Sequence, residues 1–170
     1  MIQVTPFWER ILQRTNAGSS RIMLGVPGDQ SFSVHKNGTD QTGIAADTDT
    51  LITFSTELFD TNNDFASNRL TPTVAGKYLL TGSWRIGNAG PAIDDGDPAK
   101  VMIFKNGSEL HGVTVRGSGP GVRSHVIAAV VDANGSTDYF ELYMRHSVAA
   151  GQDVEGDAAR TWFTGMRIGS

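Results

Sequence analysis

The stretch SHVIAAVV (residues 124–131) is apolar on both of its parities. Val126, Ala128 and Val130 point one way, and Ile127, Ala129 and Val131 point the other. Its β-branched residues favour a strand. A strand with one face in a core and one in water alternates apolar with polar, and this one does not. Its second face is therefore expected to be covered by a loop, by an N-terminal helix or by another copy of the chain.

The neighbouring runs extend this reading. YLLTGSW (78–84) is likewise mixed, with Tyr78, Leu80 and Trp84 opposite Leu79 and Thr81. DYFELYMRHS (138–147) alternates cleanly, with Phe140, Leu142 and Met144 on one face and Tyr139, Glu141, Tyr143 and Arg145 on the other. FSVHK (32–36), TLITFS (50–55), KVMIFK (100–105), HGVTVR (111–116) and RTWFTGMRI (160–168) are further strand-like runs. Twenty glycines, with frequent Asn, Asp, Ser and Thr, put turn signals between them. About eight to ten short strands without long helices predict an all-β sandwich or barrel.

Asn-Gly occurs three times in the pattern of a sugar acceptor, at Asn37-Gly38-Thr39, Asn106-Gly107-Ser108 and Asn134-Gly135-Ser136. Each pair sits at or just beyond the end of a predicted strand. A tight hairpin needs positive φ at its central residues, which Asn and Gly adopt at least cost. Turn chemistry is the expected reason for all three.

At 170 residues the chain is long enough for one domain with a sizeable core. A net charge of −4 gives no general attraction for nucleic acid or an anionic membrane. The absence of cysteine removes disulfides, thiolate metal sites and cysteine nucleophiles. No window is apolar enough for a signal peptide or a membrane span.

The first residues read differently. Thr5-Pro6 suits a helix start, and Phe7, Trp8, Ile11 and Leu12 fall on one helical face. A helix this short is marginal alone in water, so its stripe must dock. It packs on its own domain or a sister subunit, or it serves as an anchor arm on a larger assembly. Residues 1–29 are accordingly read as an arm and 30–170 as the folded domain.

Several stretches resemble the C1q/tumour-necrosis-factor-like jelly roll. FSVHKNGTDQTGI resembles its opening strand. TLITFSTELFDTNNDFASNRLTPTVAGKYLLTGSW is similar to the family's Pro-x-x-Gly-x-Tyr step into a central strand, here Pro72, Gly76 and Tyr78 with one extra residue of spacing. KVMIFKNGSEL resembles the next hairpin. SHVIAAVV, STDYFELYMRHS and TWFTGMRIG resemble the last strands, with Phe163 and Gly165 as the closing Phe-x-Gly. The likeness spans about residues 30–169 and rests on order and spacing.

This resemblance implies a ten-stranded antiparallel jelly-roll sandwich that assembles as a homotrimer. The predicted interface is Tyr78, Leu80, Trp84, Val126, Ala128, Val130 and Phe163. The chain departs from animal secreted members in lacking a collagen-like Gly-X-Y stalk and a signal peptide. Domains of this kind also occur in bacteriophage structural proteins, as capsid decorations, fibres and spikes.

No catalytic pattern stands out. The histidines (His35, His111, His125, His146) have no metal-ligand spacing and are expected at exposed or turn-side positions. GSGPG (117–121) lacks the Lys-Ser/Thr of a phosphate loop and reads as a strand connection. Asp94, Asp95 and Asp97 in IDDGDPAK lack EF-hand spacing and read as a solvated acidic loop, with calcium at a trimer apex as the alternative. GQDVEGDAAR (151–160) reads the same way. Residues 87–99, 116–123 and 148–160 are the expected exposed contact loops.

The resulting expectation is a non-enzymatic homotrimeric virion protein, assembled in the host cytoplasm, without cofactor, nucleic acid or membrane. Its first reading is a phage capsid decoration whose arm docks on the major capsid protein. The alternatives are a tail fibre or spike tip that binds a host-surface glycan or protein, and a C1q-type ligand module.

Overall fold

The computed structural model describes residues 30–86, 96–116, 123–148 and 151–170. They form an antiparallel sandwich with no helix among the described residues. Its strands are β1 (Ser31–His35), β2 (Gln41–Ile44), β3 (Thr50–Leu51), β4 (Thr56–Asp60), β5 (Phe65–Ala66), β6 (Arg69–Leu70), β7 (Gly76–Arg85), β8 (Pro98–Lys105), β9 (Ser108–Arg116), β10 (Ser124–Ala133), β11 (Phe140–His146), β12 (Gln152–Val154) and β13 (Trp162–Gly169). Ten of them have three residues or more; β3, β5 and β6 are two-residue pieces.

The first layer has the strand order β10-β7-β13-β1-β4. The second has the order β5-β6-β11-β8-β9, with β3 also paired to β11, and β12 pairs with β2 in a small ribbon. Every strand-like run of the sequence has its counterpart. TLITFS is shorter than expected: only Thr50 and Leu51 pair, after which Ile52 turns fully into the core and its N–H donates to the Leu142 carbonyl at 2.9 Å.

Aromatic rings fill the space between the layers. Phe32 stacks on Phe65 at 5.3 Å and meets Phe163 edge-on at 5.0 Å. Two inward positions carry glycine because rings and branched chains cross there. A Cβ on Gly165 would lie 2.5 Å from Leu80 Cδ2 and 2.9 Å from Phe32 Cε1. One on Gly82 would lie 2.7 Å from Leu142 Cδ1. The closing Phe-x-Gly is thus a packing device, with Phe163 supplying the ring and Gly165 the room for its neighbours.

The three Asn-Gly pairs are turns, of two kinds. Between β8 and β9, Asn106 (φ 53°) and Gly107 (φ 79°) are both left-handed, as a two-residue type I′ hairpin requires. At 37–38 and 134–135 only the glycine has positive φ. The Asn106 side chain is also occupied: Nδ2 donates to Asp138 Oδ1 and Oδ1 accepts from the Tyr139 N–H, both at 2.9 Å. Asn134 Oδ1 accepts from the backbone N–H groups of Ser136 and Thr137 at 2.9 Å each, closing its own turn.

The expected helix with Phe7, Trp8, Ile11 and Leu12 lies outside the described residues, as do residues 87–95, 117–122 and 149–150. Asp94, Asp95 and the GSGPG stretch fall there too. The segment 148–160 is not the open loop expected of it. Gln152 and Val154 are buried strand residues, Asp153 accepts from the Gly43 N–H at 2.9 Å, and Glu155 pairs with Arg85 at 3.1 Å.

Candidate functional site

The register of the first layer fixes which side chains share its outer face, the side turned away from the second layer. On β10, Ile127, Val131 and Ala133 face inward, so Val126, Ala128 and Val130 face out. Their partners across β7, β13 and β1 follow from the pairing. One row runs Val126, Ser83, Trp162, His35; the next Ala128, Thr81, Thr164, Ser33; the third Val130, Leu79, Met166, Ser31. Phe59 of β4 extends the middle row beyond Ser33.

These three rows contain no Asp, Glu, Lys or Arg. Charge appears only at their ends, where Lys77 pairs with Asp132 at 3.3 Å and Arg85 with Glu155 at 3.1 Å. At about 3.3 Å per residue and about 4.8 Å per strand, the uncharged area of three rows on four strands measures roughly 20 by 19 Å. Several of its apolar side chains are wet in the single chain: Val126 is 58% exposed, Val130 53% and Met166 51%. Exposed apolar side chains grouped on one face with no charge between them make it the candidate interaction surface.

The outer face of the second layer has the opposite chemistry. Glu141 accepts from Arg69 at 2.8 Å and 3.0 Å, and Arg69 lies over the Tyr139 ring at 3.6 Å. Lys100 pairs with Glu109 at 2.6 Å, and Arg145 approaches Asp47 and Asp49 at 3.6 Å and 3.5 Å. Ion pairs thus lie across the second layer's outer face, where the three rows of the first carry none.

A second apolar surface lies beside the first, along the edge where β9 overhangs β10. Every residue of β9 is exposed, including Leu110, Val113 and Val115. His111 and Val113 face Ile127 and Ala129 across an open cleft of about 310 Å³.

Of the seven residues expected at an interface, the structure separates two groups. Val126, Ala128 and Val130 lie together on the uncharged face. Tyr78, Leu80, Trp84 and Phe163 do not: each is at most 2% exposed and packs between the layers, which leaves no surface for a partner. Tyr78 donates to Gln30 and to the Val74 carbonyl, and burial pushes its hydroxyl up to about 12. The residues that sequence reasoning did not place on this face are the neighbours of Val126, Ala128 and Val130 there: Leu79, Thr81, Trp162, Thr164 and Met166. The pairing of β13 with β7 supplies them, and no single strand reveals it.

The histidines also differ from expectation, since two of the four are buried. His146 contacts the Ile44 carbonyl through Nε2 at 2.9 Å. His125 stacks on Trp84 at 4.5 Å, and burial, aided by the Arg123 charge, pushes its imidazole down to about 4. The backbone of Ala99 opposes that shift in part, and no full hydrogen bond forms with either ring nitrogen among the described residues. Among the described residues no group of three or more His, Asp or Glu side chains converges as a metal site.

No protein-family model matches the sequence, and no curated protein matches it. The fold does have solved counterparts. The chain is similar to Eiger TNF from S. frugiperda, with a TM-score of 0.61, 8% identity, and coverage of 84% of this chain and 94% of that one. Murine APRIL at pH 5.0 gives 0.58 and 10% identity, over 82% of this chain and 99% of that one. The globular domain of the zebrafish complement 1qA protein gives 0.52 and 16% identity, over 82% and 97%. The fold is therefore the C1q/TNF-like jelly roll.

Proposed function

We propose that this chain is a non-enzymatic recognition module that works as a homotrimer, with the outer face of the β10-β7-β13-β1-β4 layer buried against a sister copy. The observation that carries this reading is the uncharged face bounded by ion pairs. Half of the residues in its three rows are apolar, and Val126, Val130 and Met166 are each more than half exposed in the single chain, so association removes them from water. The second apolar surface, on the β9 edge, differs in shape and lies on an adjacent side of the sandwich. Face against edge is a heterologous contact, which closes into a three-membered ring when each copy is turned a third of a revolution from the last.

Within this reading we place the protein on a phage particle as a capsid decoration, docked through the Phe7, Trp8, Ile11 and Leu12 stripe. That placement rests on the sequence of residues 1–29 and on the kinds of protein in which such domains occur. A fibre or spike tip is the second reading, favoured by the polar and cationic outer face of the second layer, which self-association through the first layer leaves free.

Light scattering on the 170-residue chain at micromolar concentration tests the core of the proposal. The expected mass is three times 18.2 kDa. A stable monomer of 18.2 kDa overturns it. Deleting residues 1–25 is expected to abolish attachment to particles while leaving the trimer intact; unchanged occupancy overturns the docking role.

A further inference from the structure

The second layer carries a cleft whose chemistry self-association does not use. Two rows of its outer face meet there. Ser147, Pro98 and Arg116 form one; the Ser147 N–H donates to the Pro98 carbonyl at 3.2 Å, and Pro98 pairs with Arg116. Arg145, Lys100 and Thr114 form the other. With Asp47 they line a cavity of about 300 Å³, at the lower end of the range for small-ligand sites.

Arg145 and Lys100 stand directly opposite each other on adjacent strands, an arrangement of like charges that destabilises a sheet. Arg116 adds a third cation, so the lining holds three cations against one carboxylate on a chain of net charge −4. Nearby acids offset part of this. Glu109 holds Lys100 at 2.6 Å, whereas Asp47 and Asp49 reach Arg145 only at 3.6 Å and 3.5 Å. A charge-assisted hydrogen bond is typically about 2.7–2.9 Å long, so Arg145 is loosely engaged and its planar fork can exchange these contacts for a ligand's oxygens. Arg116 donates from Nη1 to the Gly96 carbonyl at 2.9 Å, and Nη2 is not used in that bond. The same cleft offers the hydroxyls of Thr114 and Ser147 and the Asp47 carboxylate, which suit the hydroxyls of a sugar.

We propose that this cleft binds an acidic saccharide, a sugar unit bearing a carboxylate or a sulfate. The oxyanion sits between Arg145, Lys100 and Arg116, and the ring hydroxyls meet Thr114, Ser147 and Asp47. The site is complete in one protomer and lies on the opposite layer from the uncharged face, so it stands independently of the trimer.

Titration calorimetry on the full 170-residue chain at low ionic strength tests it. The probes are a uronic-acid oligosaccharide, a sulfated one, a neutral glucose oligosaccharide of equal length, and inorganic sulfate. One or both acidic saccharides bind, and the preferred one identifies the anion; the neutral one does not. Arg145→Ala and Lys100→Ala each weaken binding about tenfold, the usual effect of losing a charged hydrogen bond. Asp49→Asn, which frees Arg145 from a competing carboxylate, tightens it severalfold. Thr114→Ala weakens the saccharide but not inorganic sulfate. Arg145→Lys keeps the charge and retains part of the affinity, separating loss of the fork from loss of the fold. Equal binding of the neutral saccharide, no binding of either acidic one at millimolar concentration, inorganic sulfate binding as tightly as the saccharides, or an unchanged Arg145→Ala overturns the site. Saccharide binding by a chain that sediments as a monomer would retain this site while removing the trimer.

Discussion

Replacing Val130 by Glu puts a carboxylate on the β10 edge of the uncharged face. Full burial of a valine contributes about 1.5–3 kcal/mol. Val130 is still 53% exposed in the single chain, so about half of that, roughly 1 kcal/mol, remains to be gained on assembly. Leu79, directly across the sheet, offers the carboxylate no partner, and Lys77 on the diagonal is held by Asp132 at 3.3 Å. Desolvating the carboxylate then costs at least about 2 kcal/mol more. A closed trimer contains the change three times, for a total near 9 kcal/mol, or roughly six powers of ten in the formation constant. The variant is expected to sediment as a folded monomer at micromolar concentration. Thr48→Glu, on an exposed turn remote from this face, is expected to leave the trimer intact. The reasoning fails if Val130→Glu keeps the parent mass with an unchanged melting temperature.

Three further outcomes follow from the interior and the turns. Gly165→Ala drives a methyl against Leu80 and Phe32 and is expected to cost about 1–3 kcal/mol, lowering the thermal midpoint by several degrees; an unchanged midpoint would show that the layers yield there. His125 takes up a proton more readily unfolded than folded, so its contribution is present above about pH 6.5 and is lost as pH falls toward about 4, by up to about 3 kcal/mol. In denaturant titrations His125→Leu should flatten stability against pH across that window, and an identical slope refutes the assignment. Asn106→Ala removes the first of the hydrogen bonds that, with Lys105, hold the Asp138 carboxyl below its ordinary range. The Asp138 titration followed by NMR should move up and stability fall by about 1–2 kcal/mol; an unmoved titration would leave the hairpin without this tie.

The sequence revealed the strands best where they are long and β-branched, as in β7, β8, β10, β11 and β13. It hid β2, β4, β5, β6 and β12, which are two to five residues long and defined by pairing rather than by pattern. β4 is the clearest case. Its bulge opposite Ser33 and Val34 leaves consecutive Leu58 and Phe59 both exposed, and no periodicity survives that. The two-sided apolar character of β10 was legible, and with it the open face. Which parity turns inward on β7 was not, because that choice is made by Gly82 and Gly165, which open space for Leu142, Leu80 and Phe32 across the sandwich. The cationic cleft was invisible for a related reason: Arg145, Lys100 and Arg116 stand on three strands and meet only through register.

The position of β13 has a consequence for when partners can be chosen. It is the last of the thirteen described strands, yet it sits at the middle of its sheet between β7 and β1, and it pairs with β1 across more than a hundred residues. A nascent polypeptide still on the ribosome therefore owns β1, β7 and β10 but no continuous plane, and the rows through Trp162, Thr164 and Met166 stay broken until synthesis has passed residue 169. A face completed only by this long-range closure can be offered to any partner only once the domain has folded, and such closure is intrinsically slow.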